Sequence, residues 1–582
     1  NDIGGTLRLG SHGLTTPVAN SVRHELLRIN SLRTVLATLF ITRPHYCSIC
    51  GSLFLSRGFF CHACGVAAEG SCLKKANRNL PCKAVSAPVD SPLKHHWTKG
   101  NLPLDSVCDV CDEDCGNGPG LVDFICAWCQ RTVHQTKYDT FFFGLFRFVI
   151  PPPDFALGEL CDLGPHRRYV VPPNAVILRK RGRIRRQNSI IERIVPPENL
   201  KNWSPLIVIR LVFDSCVVFP SLLPAASSSS GNMDGHHVLN SFRRVLHTSQ
   251  VIDLARTPPE EALEWCHLLP QCVVMVAGGD GSISWVLNTI HRLRIDPPPP
   301  VALLPLGTGN DLSRILGWGP SQDACVDAKN WILQNLPHTV RVPLDRWRIT
   351  IAYRRHPLVS SLRSGTTVKF MNNYASVGVD ALVALNFHRS RNRSWYFPSR
   401  IFNKFLYLSY GTKDVLEREC RHLSEHIRLE LDGEAVELPP LEGVVFLNIN
   451  CWCAGVTPWI SGVGHEEFLS PSPSDGLIEV FGIRSSFHIA QMQVRLSEPL
   501  RLGQVRTAKV TLLQPAPMQV DGEPWEQPPG EVTLAFDHQA TMLSKELKPS
   551  HSQGDLLRAP LRPLEEPDLP APILRHRRHQ SF

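Results

Sequence analysis

Val273-Val274-Met275-Val276-Ala277-Gly278-Gly279-Asp280-Gly281-Ser282 is an apolar run that enters Gly-Gly-Asp-Gly, and Ile283 to Leu293 follows with helical spacing. The pattern reads as a buried strand, a tight glycine turn and a helix. Glycines in such a turn let the backbone approach a phosphate, and they adopt positive φ cheaply. The helix start behind them offers free N–H groups and a positive dipole end to an anion. Asp280 is placed to reach a nucleotide hydroxyl, a bound cation or a transferring phosphate. Alone, the stretch fits a plain strand–turn–helix corner equally well.

A second apolar strand, Val301 to Pro305, enters another glycine turn, Leu306-Gly307-Thr308-Gly309-Asn310-Asp311-Leu312. Two strands that each end in such a loop are what a parallel α/β sheet needs to build a nucleotide site at its carboxyl edge. The pair points to phosphate chemistry. GGDGS followed by PLGTGNDL resembles the diacylglycerol kinase catalytic domain, whose family transfers the γ-phosphate of ATP to a lipid hydroxyl.

The chain has 582 residues, enough for three or four domains. Its net charge of +8 suits contact with anionic lipid or nucleotide. No run of about 18 uninterrupted apolar residues occurs, so no membrane-spanning helix is expected. Of nineteen cysteines, twelve crowd into the first third, eight of them at CxxC spacing, which points to zinc in a reducing compartment rather than to secreted disulfides.

Cys47, Cys50, Cys61, Cys64, Cys72 and Cys82 form two CxxC pairs and two trailing thiols, a strong zinc signal. A second copy reads His95-x12-Cys108-x2-Cys111-x14-Cys126-x2-Cys129-x4-His134. Both resemble the C1 module, a small two-zinc domain known for binding diacylglycerol. The resemblance implies that Glu69 stands where the family has a histidine ligand and that Thr34 replaces the leading histidine of the first copy. In the second copy it implies one site from His95, Cys126, Cys129 and a late cysteine, Cys161. The other site would use Cys108, Cys111, His134 and a cysteine three residues on, where Lys137 stands. Residues 135 to 160 look inserted. A structural or protein-docking role for these modules is as well supported as lipid sensing.

The expected organisation is an N-terminal segment (1–42, with a possible helix over 21–40), a first zinc module (43–84) and a second with its insertion (94–172). A basic linker (173–200) follows, then an α/β catalytic domain (201–346), a β-rich accessory domain (347–537) and a disordered tail (538–582). The fold class is thus two zinc modules, a Rossmann-like nucleotide-binding domain and a β-sandwich. The basic run from Arg179 to Arg186 suits a solvated linker or an anionic membrane face. In the resembled family the first catalytic strand runs into a phosphate-touching loop. Here an insertion, residues 210 to 228, intervenes before Ser230 and Gly231. Met371 to Ala381, Tyr410 to Asp414 and Met518 to Trp525 resemble the family's accessory domain. With His95-His96-Trp97, they suggest the epsilon type.

Phosphoryl transfer needs a hydroxyl held in line, with Mg²⁺ and N–H donors absorbing charge. Gly278, Gly279, Gly281, Gly307 and Gly309 would supply donors, Thr308 and Asn310 hydrogen bonds, and Asp280 and Asp311 carboxylates. The resemblance implies Asp475, in Ser474-Asp475-Gly476, as the base, with Asp280 second; an ordinary Asp-Gly hairpin turn competes with that reading. The expected activity is ATP-dependent phosphorylation of diacylglycerol to phosphatidic acid at the cytoplasmic face of membranes. ATP, Mg²⁺ and structural Zn²⁺ would be the cofactors, membrane lipids the partners, and no nucleic acid is expected. A catalytically weak zinc-module adaptor is the alternative. A kinase of the same superfamily acting on a sphingoid base or NAD is a third, which the modules and the Met371 to Ala381 stretch disfavour.

Overall fold

The computed structural model describes residues 36–40, 45–55, 57–103, 106–115, 123–134, 157–179, 190–197, 202–210, 230–255, 257–269, 271–307, 309–322, 326–353, 365–393, 420–459 and 468–545. Thr308, most of both insertions, Arg181 to Arg186, Tyr410 to Asp414 and the tail beyond Lys545 lie outside them. The described chain forms two compact units, residues 1–201 with 243–249, and 202–242 with 250–582.

The first unit contains a structural repeat. Leu36–Phe40 pairs antiparallel with Arg57–Cys61, and Ala67–Ala68 adds a third strand. Trp97–Lys99, Phe124–Cys126 and Thr132–Val133 repeat that sheet. Leu36 faces Cys61 as Trp97 faces Cys126, so the two copies share a register. Phe54, Phe60, Val66 and the buried cysteines make a small core in the first copy. Two expectations are corrected here. Part of the segment read as a helix is the strand Leu36–Phe40, and the linker holds the antiparallel pair Val176–Arg179 and Ile190–Ile194.

The second unit opens as alternating strands and helices. These are β1 (Leu206–Arg210), α1 (Ser230–Val245), β2 (Val251–Asp253), α2 (Pro259–Leu268), β3 (Val273–Gly278), α3 (Asp280–Leu293) and β4 (Val301–Pro305). The four strands are parallel in the order β2-β1-β3-β4. β1, β3 and β4 are buried at every residue, which is why they read as continuous apolar runs rather than alternating ones. Ile283, Val286, Leu287 and Ile290 form the buried stripe of α3 at i, i+3, i+4, i+7 spacing. Arg294 ends that helix in the left-handed conformation.

Two long strands continue this sheet, β5 (Thr339–Tyr353) and β16 (Gly530–Lys545). They pair antiparallel from Thr339 opposite Lys545 to Tyr353 opposite Gly530, while Met542 pairs in parallel with Val301 of β4. The α/β sheet and one face of the β-rich region therefore form a single ten-stranded sheet, completed by β6 (Thr366–Met371), β8 (Ile427–Leu431), β9 (Glu434–Val436) and β13 (Thr507–Leu512). A second, six-stranded sheet runs in the order β12 (Leu500–Val505), β11 (Ile478–Ile483), β10 (Gly443–Leu447), β7 (Tyr374–Gly378), β14 (Ala516–Val520), β15 (Glu523–Gln527). A core including Trp347, Met371, Phe446, Val510 and Leu534 draws residues from both sheets. The expected boundary between 346 and 347 thus falls inside one strand, and residues 538–545, expected in the tail, belong to β16.

Candidate active site and metal centres

The two glycine loops meet at the carboxyl ends of β3 and β4. Leu306 N–H donates to Gly278 O at 3.0 Å. A Cβ built on Gly307 would stand 2.5 Å from the Gly279 Cα and 2.6 Å from Asn310 Oδ1. Only glycine at both positions lets the loops touch. Asn310, at φ 55°, closes its own loop: its Oδ1 accepts from Gly307 N–H at 3.0 Å, and its Nδ2 donates to Gly307 O at 2.9 Å and Pro320 O at 2.8 Å.

Asp280 joins the loops. Its carboxylate accepts the N–H groups of Asp311 at 3.1 Å and Leu312 at 3.3 Å, at the start of the short helix α4 (Asp311–Ile315). Asp311 in turn accepts from Cys451 Sγ at 3.1 Å and from Ala454 N–H at 3.3 Å. Burial and the neighbouring Asp280 push the Asp311 carboxyl up to about 6. Burial also raises Asp280, against the opposing hydrogen bonds from Asn373 and the 310–312 backbone. Asp380 and Asp521, both buried, are each raised to about 6, chiefly by desolvation. Asp521 organises the turn at Asn373: it accepts from the N–H groups of Asn372 (2.9 Å), Asn373 (2.8 Å) and Tyr374 (3.2 Å) and from Asn372 Nδ2 (2.8 Å). Two residues on, Glu523 Oε1 lies 3.3 Å from where a Cβ on Gly281 would be. An exposed carboxylate thereby faces the first glycine loop.

Asp475 has different neighbours. Its turn is anchored by Gly476 N–H donating to Asp345 Oδ2 at 2.6 Å, and Leu477 N–H donates to Asp475 Oδ1 at 3.0 Å. Asp475 is raised to about 6 by burial first, with Asp345 adding to the rise. Glu479, fully buried in β11, is raised well above the usual range by burial and then by Asp475, and Gln504 Nε2 donates to it at 3.1 Å. No described contact links Asp475 to Asp280 or Asp311. The structure therefore brings together Gly278, Gly279, Asp280, Gly281, Gly307, Gly309, Asn310 and Asp311. It leaves Asp475 in a separate acidic group, and it sets Ser230 and Gly231 at the start of α1. Sequence reading assigned no role to Asn373, Asp380, Cys451, Asp521 and Glu523. Their only signal was membership of the stretches 371–381 and 518–525, or none in the case of Cys451.

Buried carboxylates whose pKa is raised mark negative charge left without a counter-charge. The set Asp280 and Asp311 fits a hard divalent cation such as Mg²⁺, which takes oxygen ligands.

In the first unit, all four CxxC pairs adopt one turn. The residue after each second cysteine, Gly51, Gly65, Asp112 or Gln130, is left-handed and donates its N–H to the first cysteine's carbonyl, at 2.8 to 3.0 Å. This backbone knuckle holds two thiols toward one point. Side chains then gather as His95 with Cys126, Cys129 and Cys161, as Cys47 with Cys50 and Cys72, as Cys61 with Cys64 and Cys82, and as Cys108 with Cys111 and His134. Glu69 Oε1 lies 3.6 Å from Cys50 Sγ and 3.7 Å from Cys72 Sγ, at the edge of the second of these groups. Nε2 of His95 and of His134 is buried without a hydrogen-bond partner. At His95 it is Nδ1 that faces the thiols, 3.5 Å from Cys129 Sγ, and soft thiolates gathered with an imidazole nitrogen fit zinc.

Family models match two stretches, the diacylglycerol kinase catalytic domain over residues 226–342 and the diacylglycerol kinase accessory domain over 370–524. Diacylglycerol kinase 2 of Arabidopsis thaliana is 29% identical over 86% of this chain and 78% of its own length. Human diacylglycerol kinases iota and zeta are 30% and 32% identical over 82% and 81% of the chain, which spans only 46% and 52% of their lengths. Among solved structures, a putative diacylglycerol kinase from Bacillus anthracis aligns with 58% of this chain and 97% of its own, at 16% identity and a TM-score of 0.34. With its glycine loops inside the first matched stretch and Asn373, Asp521 and Glu523 inside the second, the chain carries the catalytic and accessory domains of the diacylglycerol kinase family.

Proposed function

We propose that the chain transfers the γ-phosphate of ATP to the free hydroxyl of diacylglycerol at a membrane surface, forming phosphatidic acid. The observation that carries this reading is the contact of Gly279 with Gly307, braced by Asp280, inside the matched catalytic domain. The touching glycines leave a backbone surface open to phosphate oxygens, and the start of α3 adds N–H donors. Mg²⁺ held by Asp280 and Asp311 would neutralise charge on the transferring group. Asp475 and Asp280 are the sequence candidates for taking the hydroxyl proton. Glu523 has the stronger geometric claim: it and Asp475 are both exposed, but Glu523 faces Gly281, whereas Asp475 lies in the turn anchored by Asp345 and Asp280 is engaged with two backbone N–H groups. The two zinc modules read as C1-type and, with the accessory stretches, as the epsilon arrangement. Among the described residues no helix is long and apolar enough to cross a membrane, and the reading places contact with lipid at the surface.

A mixed-micelle assay of radiolabelled phosphate transfer to diacylglycerol tests this. Turnover in the parent chain that vanishes in Gly279→Asp supports the kinase. Glu523→Gln should lower kcat by about 10²–10⁴-fold, as loss of a general base does, and Asp475→Asn far less. Absence of turnover with retained binding to diacylglycerol vesicles would favour the adaptor reading.

A further inference from the structure

The repeat in the first unit sets up a comparison between its two copies. Ala67–Ala68 and Thr132–Val133 are equivalent strands, so Glu69 and His134, which follow them directly, are equivalent positions. Ser48 N–H donates to Ala67 O at 2.8 Å, as Asp109 N–H donates to Thr132 O at 2.9 Å. Three residues beyond Glu69 stands Cys72, grouped with Cys47 and Cys50. Three residues beyond His134 stands Lys137, which offers no thiolate. Among the described residues, Cys108, Cys111 and His134 gather without a fourth ligand.

The chain returning from the Cys108 knuckle supplies a substitute. In the first copy the knuckle closes with Tyr46 paired to Leu53 and His45 to Phe54, and Phe54 is buried in the core. In the second copy Val107 bridges Asp114 and Cys115 N–H donates to Ser106 O at 2.7 Å. Cys115 therefore occupies the position of Phe54. Its thiol falls within 4.8 Å of ligand atoms of both His134 and Asp123, a group that shares His134 with Cys108 and Cys111 but does not include those two thiols. The knuckle is locked to the strand before His134 by Thr132 N–H donating to Asp109 Oδ2 at 2.8 Å and Thr132 Oγ1 donating to Val107 O at 2.6 Å. Asp123 Oδ1 lies 3.4 Å from His134 Nδ1, while Nε2 is buried and unpartnered. A carboxylate on one ring nitrogen orients the other toward a metal.

We propose that Cys115 is the fourth zinc ligand of the Cys108, Cys111 and His134 centre, in the role that Cys72 has in the first copy, with Asp123 orienting the imidazole. A core position of one copy has become a ligand position in the other. On binding, the Cys115 thiol loses its proton to solvent and its sulfur joins the metal, giving three thiolates and one imidazole.

The test uses the full chain. Zinc per chain is measured after passage over chelating resin, and iodoacetamide labelling of Cys115 is followed by peptide mass spectrometry with and without chelator. Cys115 in the zinc-loaded chain should react at least about tenfold more slowly than after chelation. Cys115→Ser should lose one zinc equivalent and Cys115→His should regain it. With Co²⁺ in place of zinc, Cys115→Ser should weaken the thiolate-to-cobalt charge-transfer band. Equal labelling with and without chelator would overturn the assignment, as would full zinc content and an unchanged cobalt spectrum in Cys115→Ser. Loss of an equivalent in Asp123→Asn but not in Cys115→Ser would also overturn it, because the ligand would then be Asp123. If Cys115→Ser loses more than one equivalent through unfolding, Cys115→His decides: full zinc content supports the assignment, and a loss equal to that of Cys115→Ser overturns it.

Discussion

Replacing Gly307 with alanine should disable phosphoryl transfer through a single added methyl group. The backbone at Gly307 is not in the left-handed region, so alanine can adopt it, and the effect is steric. The new Cβ would stand 2.5 Å from the Gly279 Cα, where ordinary contacts lie at 3.4 to 4 Å. The two loops must part by about 1 Å, and a misplacement of that size costs on the order of 100-fold in rate, or about 2.7 kcal/mol. The same movement strains the reciprocal bonds between Gly307 and Asn310, each worth about 1 kcal/mol. The assay is kcat for phosphate transfer to diacylglycerol in mixed micelles, paired with thermal unfolding. Gly433→Ala is the control: at φ +86° with no atom within 4 Å of the new Cβ, it should cost about 1 kcal/mol of stability and leave turnover unchanged. Wild-type turnover in Gly307→Ala with an unchanged melting curve would refute the glycine-to-glycine contact as the feature that shapes the site.

Asp521→Ala removes the acceptor for four donors, three of them in buried bonds, and at about 1 kcal/mol for each it should destabilise by about 4 kcal/mol, seen as a fall in Tm of roughly 10 °C. Asp380 is raised to about 6, above its unfolded value of about 3.9, so its charged form is disfavoured in the fold. That penalty is absent below pH 4 and grows as pH rises through 6, to about 3 kcal/mol. Asp380→Asn, which can still accept from Ser376 Oγ, should therefore stabilise the protein more at pH 7.5 than at pH 4.5; equal gains by urea titration at both would refute the buried-charge argument. Chelation of zinc should abolish amide-exchange protection in residues 45–134, because the small core of the first copy is built around its cysteines, while the second unit keeps its melting transition.

Much of the second unit was legible because parallel strands buried on both faces write themselves as unbroken apolar runs, and the turns after them must be glycine. Val273 to Gly281 and Val301 to Gly309 needed no further context. The strand from Thr339 was legible only from Arg348 onward. Pro343, Asp345 and Arg346 interrupt its first half, and they are tolerated there because other parts of the fold satisfy them. Gln539 and Gly476 donate to Asp345, while Arg346 donates to Asn372, the carbonyl of Leu287 and Asn288. All of these partners but Asn372 lie more than fifty residues from the strand position they satisfy.

The sequence by itself determined the elements whose cause is local: the glycine turns, the CxxC knuckles with their left-handed fifth residue, and the amphipathic face of α3. Tertiary structure alone decided which carboxylates share a site. Asp475 and Asp521 stand in similar Asp-Gly turns, and residue type cannot distinguish them. Asp521 enters the glycine-loop group because β14 pairs with β7, which sets its carboxylate under the backbone of Asn373 beside Asp280. Asp475 follows the turn that Asp345 anchors and goes elsewhere. Strand register, a property of pairing between distant segments, made that choice.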